Sequence, residues 1–249
     1  QLLLIQIEIC MNQFYFLCRV IMLFLFPGIL QAQDKADEII EKHVTALGGP
    51  ARLDSLQSVI MEGTIRMQNF EIPLKRSISN NLGQRLDFTV GGLACYIIVT
   101  QTAGWNYMPF YGISKPTPMK PEEFEMYTYY NDLQGPLYKY REKGNIVNFE
   151  GTETAVEKIL YKLLVKLRSG SHVLLYIDSC TYLTQKAIFT FQTNRKEGKV
   201  EHLCGNYQPN GQGYIFPGVM SVGPGRAFVA DIRVNTPLDP ALFSVNSTN

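Results

Sequence analysis

The chain has 249 residues, 46% of them hydrophobic and 18% charged, and a formal net charge of +1. That composition fits an ordinary globular domain and leaves no basic surplus for binding nucleic acid. With 14 Tyr and 14 Phe beside a single Trp, and aromatic and β-branched residues recurring in short runs between Gly and Asn, the chain favours β structure over a helical bundle.

Residues 1–10 precede Met11, from which MNQFYFLCRVIMLFLFPGILQAQ supplies Arg19, an apolar run over 20–26, a Pro27-Gly28 break and a small residue at Ala32. This reads as a secretory signal cleaved after Ala32 and implies an exported domain over residues 33–249. The apolar run is near the ~7–15 residues of a signal and short of the ~20 of a membrane span. An uncleaved anchor is the alternative, against which Glu8 and Arg19 interrupt any longer span. Processing removes Cys10 and Cys18. Cys95, Cys180 and Cys204 remain, enough for at most one disulfide, and buried free thiols are the simpler reading.

After residue 32, DKADEIIEKHVTALGG is a helix. Ile39, Ile40, Val44 and Leu47 recur at helical spacing, acidic residues crowd its start and Gly48-Gly49 stop it, with His43 expected on the polar side. A second short helix follows Pro50. Strands are then expected in LQSVIMEGTIRMQ and EIPLKRSIS around Asn69, and in QRLDFTV, ACYIIVT and GWNYMPF. Pro116, Pro118 and Pro121 rule out a central strand, and Pro121 opens a short helix over 122–130. Strands resume over 146–149, 158–167, 173–178, 185–192, 200–207 and 226–234. The glycine-rich GQGYIFPG and VGPGRAF read as turns, and IDSCTYL as a turn set by Asp178 and Thr181.

Many consecutive strands with a leading and an inserted helix imply a mainly β, α+β domain built on one large curved antiparallel sheet. A sheet that long must curl, close or pack against something. One pair of strands is informative. Leu163 and Val165, then Val173, Leu175 and Ile177 after the Ser169-Gly170-Ser171 turn, form one apolar face, yet Leu164, Leu174 and Tyr176 make the opposite face apolar too. An apolar hollow, shared by helix and guest molecule, accounts for the second face. Trp105, Tyr107, Phe110, Phe189 and Phe191 join Leu164, Leu174 and Tyr176 as candidates to line it, because their large apolar side chains suit a roomy pocket with few polar groups.

The order ADEIIEKHVTALGG, MEGTIR, GWNYMPF, YKLLVKL, GSHVLLYIDSCTYLTQKA, YQPNGQGYIFPGVM and DIRVNTPLDPALFSV resembles the periplasmic lipoprotein-carrier family, LolA-like and LolB-like, over roughly residues 36–245. The resemblance implies an unclosed β-barrel with helices over an apolar cavity that holds lipoprotein acyl chains or lipid during transient membrane contact, without catalysis or cofactor. Arg66, Arg76 and Arg85 are candidates, by region, for the arginine that such carriers place in the cavity. The alternative is a non-catalytic envelope interaction or sensor module of the same fold that binds protein partners. A hydrolase lacks support, since His43, His172 and His202 are far apart in sequence and no phosphate-binding loop or metal spacing is present.

Overall fold

The computed structural model describes residues 33–68, 70–192 and 197–245. The expected secretory segment, residues 1–32, lies outside them. Helix α1 (residues 33–46) buries Ala36, Ile39, Ile40 and Val44, one stripe at i, i+3, i+4 and i+8. Gly48 and Gly49 hold φ of +114° and +89°, which side chains resist, and so end the helix. Pro50 opens α2 (Pro50–Ser55), its missing N–H costing nothing at a helix start.

The strands are β1 (Ser58–Met67), β2 (Phe70–Ser79), β3 (Gly83–Val90), β4 (Leu93–Val99), β5 (Gly104–Tyr107), β6 (Thr117–Pro118), β7 (Ile146–Ala155), β8 (Lys158–Lys166), β9 (His172–Asp178), β10 (Thr184–Gln192), β11 (Glu197–Pro209), β12 (Ile215–Val222) and β13 (Gly225–Val234). They form one antiparallel sheet in the order β6-β5-β4-β3-β2-β1-β13-β12-β11-β10-β9-β8-β7. The chain meanders outward from β1 to β6, crosses to the far edge at β7 and returns until β13 pairs with β1. The sheet does not close on itself, because β6 and β7 are its two edges. It is an unclosed barrel, as expected.

The proline-bearing β6 is two residues long, a short edge of the kind that resists further pairing. The crossover after it carries α3 (Pro121–Thr128) and a 3-10 turn, Tyr129–Asn131. Three contacts hold α3 in place. Gln84 Nε2 of β3 donates to the Tyr127 carbonyl at 2.6 Å, Asn106 Nδ2 of β5 to Glu123 at 2.7 Å, and Ser171, in the β8–β9 turn, to Glu125. The helix therefore links the two sides of the sheet across its opening. A Cβ at Gly104 would lie 2.5 Å from Met119 Sδ and 3.1 Å from the Phe124 ring, so glycine is what lets this segment approach β5 so closely.

Two apolar clusters form. One joins α1, Leu137, Tyr138 and Tyr140 to the inner face of β7–β10, with Leu163, Val165, Val173 and Ile177 fully buried. The other gathers Leu56, Val59, Met61, Tyr214 and Val234. One sequence expectation is corrected here: GQGYIFPG is not simply a turn, because its Ile215–Gly218 part belongs to β12. Pro217 is tolerated there although β12 is an inner strand, and Gly218 gives room to the Asn206 carbonyl. The VGPGRAF turn is as expected, since Gly223-Pro224 joins β12 to β13. At IDSCTYL, Asp178 Oδ1 accepts the Cys180 and Thr181 amides at 2.9 and 3.0 Å. Cys95, Cys180 and Cys204 are all free thiols. No helix among the described residues is long and apolar enough to cross a membrane.

Candidate functional site

Between the two clusters lies a cavity of about 250 Å³. The sheet supplies one wall through Met61 of β1, Arg76 and Ile78 of β2, Leu175 of β9, Ala187 of β10, His202, Cys204 and Tyr207 of β11 and Ile215–Pro217 of β12. The cover is His43 and Leu47 from the end of α1, Leu53 and Leu56 around α2, and residues 129–130 and 132–137 of the crossover.

Register explains this choice of residues. Met61 pairs with Arg76, Arg76 with Leu86, Leu86 with Ile97 and Ile97 with Asn106, so all five side chains share the inner face. On the other flank Leu163 pairs with Leu175, Leu175 with Ala187 and Ala187 with His202. The expectation for Leu164, Leu174 and Tyr176 is therefore corrected. They share the outer face, one residue out of phase with the cavity wall. Lys186 covers that second apolar face, its Nζ 3.8 Å from the centre of the Tyr176 ring. Lys162 sits opposite Tyr176 on the other side, and long aliphatic stems with charged tips suit this task.

None of the eight expected residues is among the cavity's lining. Trp105 and Tyr107 fall on the outer face of β5 by the same register argument, Tyr107 packed 5.0 Å from Tyr96. Phe110 lies in the 3-10 turn beyond β5, 4.0 Å from the Tyr111 ring. Phe189 and Phe191 do face inward. They stack at 5.9 Å, and Phe189 meets Tyr129 of the cavity wall at 5.5 Å.

His43 is also corrected: it is buried, lines the cavity and donates from Nδ1 to the Tyr182 carbonyl at 2.7 Å. The signal was present in the sequence, since 43 lies four residues after Ile39 and three after Ile40, on the apolar stripe. Of the three arginines proposed by region, Arg76 is in the cavity. It alternates with Leu74 and Ile78 on the inner face of β2, which is a legible anomaly on an otherwise apolar face. Val200, His202 and Cys204 repeat the pattern on β11.

The polar groups sit together. Arg76 Nε and Nη2 both donate to Gln84 Oε1, at 3.1 and 2.6 Å, and its guanidinium lies 4.9 Å from the Tyr130 ring centre. Tyr130 meets His202 edge-on at 5.3 Å. Burial works against the Arg76 charge and lowers its pKa from the ordinary value. Burial, with Arg76 adding repulsion, likewise lowers the pKa of His202 and favours its neutral ring. The phenols of Tyr129, Tyr130 and Tyr207 are pushed up, and the Cys204 thiol is pushed up to about 11, in each case chiefly by burial. Asp132 is raised by burial against the opposing pull of Lys143, whose ammonium donates to both carboxylate oxygens at 2.7 Å. The cavity thus presents neutral walls, one paired carboxylate and one guanidinium with no carboxylate partner among the described residues.

No family model and no curated protein matches the chain. Solved structures do. A LolA superfamily protein from Nitrosomonas europaea aligns with 84% of this chain and 97% of its own at TM-score 0.52 and 14% identity. A domain assigned to the outer membrane lipoprotein-sorting proteins, from Vibrio parahaemolyticus, covers 84% and 96% at TM-score 0.53 and 14% identity. A DUF1329 family protein from Desulfovibrio piger covers 84% and 97% at TM-score 0.54 and 14% identity. At that identity the likeness concerns the path of the backbone, and on it the chain has a divergent LolA-like fold.

Proposed function

We propose that the protein is an exported, non-catalytic carrier that shelters acyl chains of a lipid or lipoprotein in its cavity during periplasmic passage between membranes. The observation that carries this reading is the apolar cavity of about 250 Å³ between the curved sheet, α1, α2 and the crossover. Apolar burial holds a chain at about 0.8 kcal/mol per methylene, and displacement of the crossover segment lets it in and out. The LolA-like backbone supports the reading at the level of fold.

The test is native mass spectrometry of the full chain, expressed with its own leader and purified without detergent, followed by lipid analysis. Bound acyl species at a defined stoichiometry are expected. A bare protein mass that also takes up no fluorescent fatty acid overturns the reading. That result favours the envelope interaction module, for which the exposed β7 edge, with Ile146 59% exposed, offers a strand for a partner to pair with.

A further inference from the structure

An arginine held half-buried in a cavity wall is costly unless an anion or a full set of acceptors meets it. Arg76 has neither. Its guanidinium carries five donors, and its two hydrogen bonds both end on one neutral oxygen, Gln84 Oε1. That oxygen is held in place because the other end of the Gln84 amide, Nε2, is spent on the Tyr127 carbonyl at 2.6 Å. The one carboxylate in the cavity lining, Asp132, is taken by Lys143 and the Gln134 amide. Beside Arg76, two further buried polar atoms lack any partner, Tyr130 Oη and His202 Nε2. Their rings touch each other, and the Tyr130 ring touches Arg76. Three incompletely satisfied polar groups therefore converge in one part of a largely apolar chamber. Buried polar atoms are rarely left this way without a ligand or water to complete them.

The size of the chamber narrows the ligand further. An engineered cavity of ~150 Å³ holds one benzene, so about 250 Å³ admits part or all of a single alkyl chain and has no room for three.

We infer that the cargo is a single-chain amphiphile with an anionic oxygen head group, carboxylate or phosphate, seated against Arg76 and Tyr130 beside His202. This rests on the carrier reading and specifies its cargo. Arg76 neutralises the head group with charge-assisted hydrogen bonds, Tyr130 donates a further one, and the tail lies along Met61, Ile78, Leu175 and Phe216. The same pairing relieves the uncompensated guanidinium, so the filled cavity is the better satisfied state.

The experiment is calorimetric titration of the delipidated full chain with laurate, lauryl phosphate and lauryl alcohol, which differ only in the head group, and with a triacylated lipopeptide. An anionic ligand binding about 10- to 100-fold more tightly than the alcohol is expected, the value of a charged hydrogen bond. Whichever anion gains more identifies the source of the head group. Arg76→Met should bring the anion and the alcohol within about threefold of each other while alcohol binding persists. Should Arg76→Met fail to fold, Tyr130→Phe keeps the ring and removes one donor, and should weaken anion binding by about 2- to 10-fold. Equal binding of alcohol and anions overturns the head-group assignment and leaves the carrier reading standing. Failure of every ligand overturns both, and lipopeptide binding as tight as laurate overturns the single-chain limit. A preference for anions that survives in both variants removes Arg76 and Tyr130 from the site.

Discussion

The strand pairs β8–β9 and β11–β12 belong to one sheet and use the same alternation, yet they are built for different ends. On β8 and β9 the inward residues Leu163, Val165, Val173 and Ile177 are fully buried beneath α1, with Leu175 nearly so. On β11 inward and outward residues alternate between half-buried and exposed without one reaching full burial, and every residue of β12 is half-buried. The difference is what lies opposite. Over β8–β9 sits a helix with a complementary stripe; over β11–β12 sits the cavity. Tight packing in this molecule is concentrated in one flank of the barrel, and open volume in the other.

The largest expected effect tests that division directly. Leu163→Ala removes packing where nothing can collapse into the gap and should cost about 2–5 kcal/mol. Phe216→Ala, on a wall that already faces empty space, should cost nearer ~1 kcal/mol and should reduce uptake of a fluorescent fatty acid. Urea midpoints for both variants, with probe titrations alongside, check the comparison. Equal losses of stability would erase the distinction between the flanks.

A smaller effect depends on pH. His43 at the end of α1 and His202 on β11 both have folded-state pKa values lowered by burial. Above the ordinary histidine value of about 6.5 each is neutral whether folded or unfolded, and neither contributes a pH dependence. Below it the unfolded chain takes up protons that the folded chain refuses, so stability falls as the pH drops through about 6.5 and continues to fall until the folded-state values are passed. Thermal melts between pH 7.5 and 5 should show this decline, and His43→Leu should remove part of it. A melting temperature that is flat or rising on acidification would contradict the buried neutral state of both rings.

How much of this was readable in the chain follows the same division. The packed flank announced itself. The α1 stripe and the Gly48-Gly49 stop state their structure locally, and so do the extents of β8 and β9, because full burial demands apolar residues in dense, regular runs. The open flank did not. Ile215-Phe216-Pro217-Gly218 looks like a turn because a strand that lines a cavity need not be continuously apolar, and its glycine answers to a contact on the neighbouring strand, the Asn206 carbonyl. Arg76 and His202 stood out only as polar residues on apolar faces. Nothing local says that the two meet, since their strands are brought near each other by the pairing of β1 with β13, across most of the chain. The phase of a strand is equally hidden where both faces are apolar. In LLYI the sequence cannot say whether Leu174 or Leu175 turns inward, because the outer face is covered by Lys186, a residue whose charge disguises an aliphatic cover.

The smallest expected effect lies in that ambiguity and is the sharpest test of the register. Leu174 pairs with Leu164 and Ile188 on the outside, whereas its neighbour Leu175 pairs with Leu163 and Ala187 on the cavity wall. Leu174→Gln places an amide at a half-buried site beside lysines that already reach into water, so its cost should stay within about 1 kcal/mol and fatty-acid uptake should be unchanged. Leu175→Gln buries the same amide without a partner, at about 1–3 kcal/mol for the lost solvation, and puts a polar group where the tail should lie, so uptake should fall with it. A one-residue slip of β9 would exchange the two outcomes, which makes the pair decisive for the inner face on which the cavity and its occupant depend.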